Sequence, residues 1–268
     1  MNLFSALSRR LHRWHSLREL REGIIIYPIW KQVEATPLIR TVEASSRVRL
    51  RELASRLLAE KQLLGAGIEL NPFMRAYIAT EACLPILNLP DDLDWYDNWH
   101  TLIVRPTPWT APVHGPAVGP LTEQRNVTLA GVTSLQWPVI IDWQSARPHK
   151  PGHHAHQVII HELAHKIDLQ VDDAANGYPP LHADMDGKAW YDAFKTAFDD
   201  LQACIGRPHC HPRINAYAAT NAGEFFAVAT EYFFAAPWTL YRAYSAVYEQ
   251  LKLFYRQDPR RRFAPPSV

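Results

Sequence analysis

The stretch VIIHELAHKID, residues 158–168, decides how this chain is read. On a helix His161 and His165 lie one turn plus about 40° apart, so both imidazoles project from one side and can share a cation. Glu162 sits about 100° round from His161, where a carboxylate reaches a metal-bound water without being a ligand itself. Two neutral nitrogen donors and an offset base are the physical content of the H-E-x-x-H pattern. The bland alternative is a core helix whose histidines are satisfied by hydrogen bonds. Val158, Ile159, Ile160, Leu163, Ala164 and Ile167 make the rest of this helix apolar. Buried polar groups without partners are costly, and a metal supplies the partner.

A zinc site needs a third protein ligand and leaves a fourth position for water. The metzincin arrangement takes that ligand from a histidine six residues further on. Here that place holds Val171, and the glycine of that motif is replaced by Asp168, so the arrangement is excluded. The other route is a carboxylate from a later helix. TNAGEFFAVATEYFF, residues 220–234, offers Glu224 and Glu231. Seven residues apart, they lie on nearly the same side of one helix, in apolar surroundings that carboxylates avoid unless paired. Spacing does not choose between them. Asn221 and Glu224 also form a capping-box pattern, a purely structural use of Glu224, and the physics leaves Glu224 only slightly ahead.

The bulk numbers fit an ordinary globular protein. The chain has 268 residues, 47% hydrophobic and 21% charged, with a net charge of +1. That suits one core with elaborations and gives no sign of direct nucleic-acid binding. The three cysteines, Cys83, Cys204 and Cys210, form no dense framework and point to a reducing compartment. Arginines at 9, 10, 13, 18 and 21 interrupt the place of a signal-peptide core, and no run approaches the ~20 apolar residues of a membrane span. These features predict a soluble cytoplasmic protein. The basic start, FSALSRRLHRWHSL, reads as a solvated or docked arm rather than a membrane-surface helix.

The order of elements predicts an α+β fold. RVRLRELASRLLAEKQLL, residues 47–64, places Leu50, Leu53, Leu57 and Leu58 on one helical face. Asn71-Pro72 starts a second helix and Pro85 ends it. HTLIVRP, NVTLAGVTS and WPVIIDW are short, β-branched and bounded by turn formers, as strands are. Five prolines from Pro106 to Pro120 mark a stiff loop. Helices then follow at about 154–171, 187–203, 222–235 and 237–256. CIGRPHCHP, residues 204–212, and HHAH, residues 153–156, read as polar surface segments rather than further metal sites, and the aromatics of 225–241 read as core.

Several of these stretches together resemble the Mlc titration factor A (MtfA) family of bacterial zinc peptidases. They are VIIHELAHKID, INAYAATNAGEFFAVATEYFFAAP, FYRQDPRRR, ACLPILNL, the segment around WHTLIVRP, and PVIIDW. The resemblance spans roughly residues 45–260. It implies a zincin-like core, a small mixed sheet packed with helices, of the gluzincin type and similar to the catalytic core of anthrax lethal factor. It implies one Zn2+ per chain held by His161, His165 and Glu224, with Glu162 as general base and Tyr217 helping to stabilise the oxyanion. It implies aminopeptidase-type activity on a peptide or protein, and binding of the glucose-responsive repressor Mlc, which would link the chain to sugar uptake.

The domain layout expected is an arm at 1–44, one metallopeptidase domain at 45–262 and a tail at 263–268. Within the domain, 45–90 would be helical, 100–143 would hold the sheet and 154–235 the zinc-site helices. Asp168 is expected to orient His165 from behind, Glu231 to orient another ligand, and NVTLAGVTS to hold extended substrate along a sheet edge. The rival function is a regulatory protein that sequesters a transcription factor and keeps a structural metal. An intact Glu162 favours the enzyme, because a structural site has no use for a base beside it.

Overall fold

The computed structural model describes residues 24–108, 138–149, 157–170 and 174–265. Its elements run α1 (Tyr27–Glu34), α2 (Ala44–Glu60), β1 (Gln62–Gly65), α3 (Pro72–Cys83), β2 (Thr101–Arg105), β3 (Val139–Asp142), α4 (Trp143–Ala146), α5 (Val158–Asp168), α6 (Gly187–Ile205), α7 (Ala222–Ala235), α8 (Pro237–Ala243) and α9 (Ser245–Tyr255). This is the expected α+β, zincin-like architecture. The strand segment NVTLAGVTS, the start of the basic arm and the HHAH run lie outside the described residues.

The described strands form a sheet of order β1-β2-β3, each pair parallel. Parallel neighbours need a long crossover, and α3 with its flanking turns supplies the one from β1 to β2. The register sets Leu63 beside Leu102 beside Val139, all buried, on the face turned towards the helices. Helix α5 packs against β3.

The strand β1 is a departure from the helix read over 47–64. The helix stops at Glu60. Lys61 turns to extended dihedrals, and its ammonium donates to the Tyr96 and Trp99 carbonyls at 2.8 Å each. Leu63 then serves the sheet, and Leu58 of the expected stripe is only half-buried. The helix expected over 237–256 is also two helices. Tyr244 leaves helical geometry (φ −145°, ψ 73°) and its hydroxyl donates to Asp200 on α6. Asn71 caps α3 by accepting from the Met74 N–H at 2.9 Å, and the helix ends just before Pro85, in line with the sequence.

One core joins these elements. Trp30 and Val33 of α1 are buried in it with Leu50 and Leu53 of α2. At its centre is α7, where every residue from Gly223 to Ala235 is buried. Phe225, Phe226, Phe233 and Phe234 pack there against Trp190, Phe194 and Tyr255. Such a helix has no solvated face, so any charge on it needs a partner inside the protein.

The cysteines differ from their sequence reading. Cys204 and Cys210 form a disulfide that closes the loop after α6, while Cys83 is free and buried. The pairing uses both sulfurs of CIGRPHCHP and removes the cysteine argument for a reducing compartment. Among the described residues no helix is long and apolar enough to cross a membrane.

Candidate metal centre

Helix α5 exists because its apolar positions face inward: Ile159, Ile160, Leu163, Ala164 and Ile167 are fully buried against α7 and α3. That seating leaves the side carrying His161 and His165 turned towards the first turn of α7. The two Nε2 atoms lie 3.2 Å apart. Glu224 completes the group. Its Oε2 is 3.1 Å from His161 Nε2 and 3.3 Å from His165 Nε2. This oxygen is buried and makes no hydrogen bond.

Three donors therefore form a nearly equilateral triangle. In a tetrahedral zinc site with ligand distances of about 2.0–2.1 Å, neighbouring donors lie about 3.3 Å apart. The edges observed here match that spacing. A dry site would need a proton on an imidazole to pair with Glu224 Oε2, whereas one cation would satisfy all three atoms together. Among the described residues these three form the group able to hold a metal ion.

The two carboxylates of α7 divide the work that spacing left open. Glu224 faces both imidazoles. Glu231, two turns on, lies behind His161: its Oε1 accepts from His161 Nδ1 at 2.8 Å. A carboxylate at Nδ1 fixes the proton there and leaves the Nε2 lone pair for the centre. Glu231 Oε2 also accepts the backbone N–H of Gln157, at the head of α5, at 2.6 Å. The same side chain thus fixes both the tautomer of His161 and the start of its helix.

The electrostatics favour a cation. Burial works against charge on His161, but Glu224 and then Glu231 outweigh it and lift its pKa to about 10. Burial also works against charge on Glu224, and here the two imidazoles win and hold its carboxyl below the usual carboxylate range. Without a metal, a proton on His161 supplies the positive charge this carboxylate pair demands. A divalent ion supplies it better, because it satisfies Glu224 Oε2 and both Nε2 atoms together.

The other residues singled out in the sequence are placed as follows. Glu162 is half-buried on α5, and its carboxylate adds to the field at His161. Tyr217 lies in a short 3-10 turn, Ala216–Ala219, whose head is tied by Asn215 accepting the Tyr217 N–H at 3.0 Å. Its ring centre is 6.2 Å from that of His161. Asp168 is buried at the end of α5, where its Oδ2 accepts the Gly177 N–H at 2.7 Å. Burial pushes its carboxyl up to about 6, against the Gly177 N–H and the nearby His165, which pull it down. It makes no hydrogen bond to His165: Asp168 Oδ1 and His165 Nδ1 are both buried without a hydrogen-bond partner.

Sequence reasoning missed Gln157 and Gly177. Gln157 acts through its backbone, which no side-chain pattern reveals. Asn176-Gly177 is a turn signal visible in the sequence.

Residues 11–256 match the family described as glucose-regulated metallo-peptidase M90. Relatives named Mlc titration factor A include one from Salmonella arizonae, 34% identical over 240 residues, covering 87% of this chain and 92% of the relative. One from Klebsiella pneumoniae is 31% identical over 237 residues, covering 87% of each. One from Escherichia fergusonii is 32% identical over 234 residues, covering 86% of each. A match over so much of the chain, at such identity to several relatives, places it in a family: the chain belongs to the M90 metallopeptidases, together with the Mlc titration factor A proteins.

Proposed function

We propose that this chain is a zinc-dependent, gluzincin-type peptidase that hydrolyses peptide bonds in short peptides or a specific protein. The observation carrying this reading is the triangle formed by His161 Nε2, His165 Nε2 and Glu224 Oε2, with edges of 3.1 to 3.3 Å. These three side chains would hold one Zn2+. When bound, the ion supplies Lewis acidity and brings the pKa of a coordinated water towards ~7.

The chain's own groups do the rest. Glu162 takes a proton from the attacking water and passes it to the leaving amine. The Tyr217 hydroxyl donates to the substrate oxygen on which negative charge develops. Glu231 keeps the His161 proton on Nδ1 throughout. The domain at 45–262 is assigned as the catalytic unit, with α1 of the preceding arm packed against it.

The family resemblance favours an aminopeptidase-like preference. The relatives' name is that of a factor that titrates Mlc, and we assign an Mlc-type repressor as the protein partner and the cytoplasm as the place of action on that ground. The test of the reaction is Glu162→Gln. This variant keeps the ligands and the side-chain shape but loses the base. Bound zinc equal to wild type with the peptidase rate abolished supports the scheme, and an unchanged rate sinks it. Assays with free and blocked peptide N-termini test the exopeptidase preference.

A further inference from the structure

Two of the candidate ligands ride on α5 and the third on α7, so their meeting depends on how these helices are held. Glu231 ties them at the head of α5. At the other end of α5, Asp168 accepts the Gly177 N–H at 2.7 Å. Trp190 of α6 donates to the Gly177 carbonyl at 3.0 Å and holds the same loop from its far side. That loop meets the first turn of α7 in two reciprocal close approaches. A Cβ at Gly177 would stand 2.7 Å from the Ala222 carbonyl oxygen, and a Cβ at Gly223 would stand 2.6 Å from the Ala175 carbonyl oxygen. Gly177 also has φ +76°, in the left-handed region. Gly223 immediately precedes Glu224.

We propose that Asp168, Gly177 and Gly223 are positioning residues that together form a strut setting the distance of Glu224 from His161 and His165. The inference rests on the metal reading above and deepens it. The chain of contacts runs from the Asp168 carboxylate to the Gly177 backbone, then to the Ala222–Gly223 backbone, then to the next side chain, Glu224. Magnitudes show why glycine matters. An ordinary contact to a Cβ begins near 3.4 Å, so a methyl at Gly223 drives the two backbones apart by roughly 0.8 Å. Metal–ligand distances hold to within about 0.2 Å, so a displacement of that size at the neighbouring residue pulls Glu224 out of the first coordination sphere.

The test is a zinc-affinity measurement by competition with a chromophoric chelator, on the full chain stripped of metal. The Tm of the metal-free protein is recorded for each variant. Asp168→Ala and Gly223→Ala are expected to bind zinc about tenfold or more weakly than wild type. Asp168→Asn keeps an oxygen for the Gly177 N–H and stays within about threefold. Val33→Ala, a cavity variant in α1, lowers Tm and leaves zinc affinity unchanged.

Wild-type affinity in both Asp168→Ala and Gly223→Ala overturns the strut. So does an equal loss of affinity in Val33→Ala at equal loss of Tm, which would mark general destabilisation. Should Gly223→Ala fail to fold, the Asp168→Ala and Asp168→Asn pair decides alone. A wild-type chain that binds no zinc fails differently: it removes the metal reading itself and the strut with it.

Discussion

Glu231 binds the two parts of α5 that matter most for the site: His161 Nδ1 at 2.8 Å through one oxygen, and the Gln157 backbone N–H at 2.6 Å through the other. Both oxygens of this carboxylate, on a wholly buried helix, are thereby partnered inside the protein. Glu231→Gln offers one acceptor oxygen and turns an amide N–H₂ towards a donor. Zinc affinity is expected to fall by about 10- to 100-fold, read by chelator competition. An affinity equal to wild type would show that the tautomer of His161 is set elsewhere.

Tyr217 stands beside His161 without taking part in the donor triangle. Tyr217→Phe removes only the hydroxyl. The expected result is a kcat lower by about 10²- to 10³-fold, with KM and bound metal little changed. Loss of metal in this variant would mean that Tyr217 holds the site together rather than serving the reaction.

Glu81, in α3, is fully buried and accepts a hydrogen bond from the Tyr77 hydroxyl. Burial pushes its carboxyl up to about 8, from an ordinary value of 4.5. Between those values the folded protein keeps a proton that the unfolded chain has lost. Stability is therefore full below about 4.5 and falls as pH rises through about 8. The expected loss is a few kcal/mol, since each tenfold difference in proton affinity is worth ~1.4 kcal/mol. The denaturant midpoint of the wild type should fall between pH 5 and pH 9, and that of Glu81→Gln should stay flatter. A wild type with equal midpoints at the two pH values contradicts this.

Much of the site was legible because one helix carries it. The spacing of His161 and His165 and the apolar residues between them fix α5 and the side that carries both imidazoles from local pattern alone. The helix start at Asn221 was legible too: Asn221 accepts the Glu224 N–H at 2.9 Å, a bond any residue at 224 would make, while the Glu224 carboxylate faces the histidines rather than reaching back to close a capping box. The choice between Glu224 and Glu231 was not legible. It depends on how α5 and α7 cross, a tertiary property that spacing along one helix does not contain.

The fold shows the same division. Asn71-Pro72 and Pro85 marked the bounds of α3 because caps and prolines act locally. Strand β1 was hidden because four residues are too few to show an alternation, and leucines suit either structure. The break at Tyr244 has no local signal. It accompanies a hydrogen bond to Asp200 on another helix. Asp168 lies at the end of the histidine helix but binds Gly177 rather than His165, a partner nine residues away in sequence.

Metal content is the most direct check on the three-donor centre. The chain is purified without chelators, and metals are quantified per chain by mass spectrometry in the wild type and in His161→Ala, His165→Ala and Glu224→Ala. The geometry predicts one zinc per chain in the wild type and near-complete loss in each single variant, with secondary structure retained. Full zinc occupancy in Glu224→Ala, or a folded wild type that takes up no divalent metal, would contradict it.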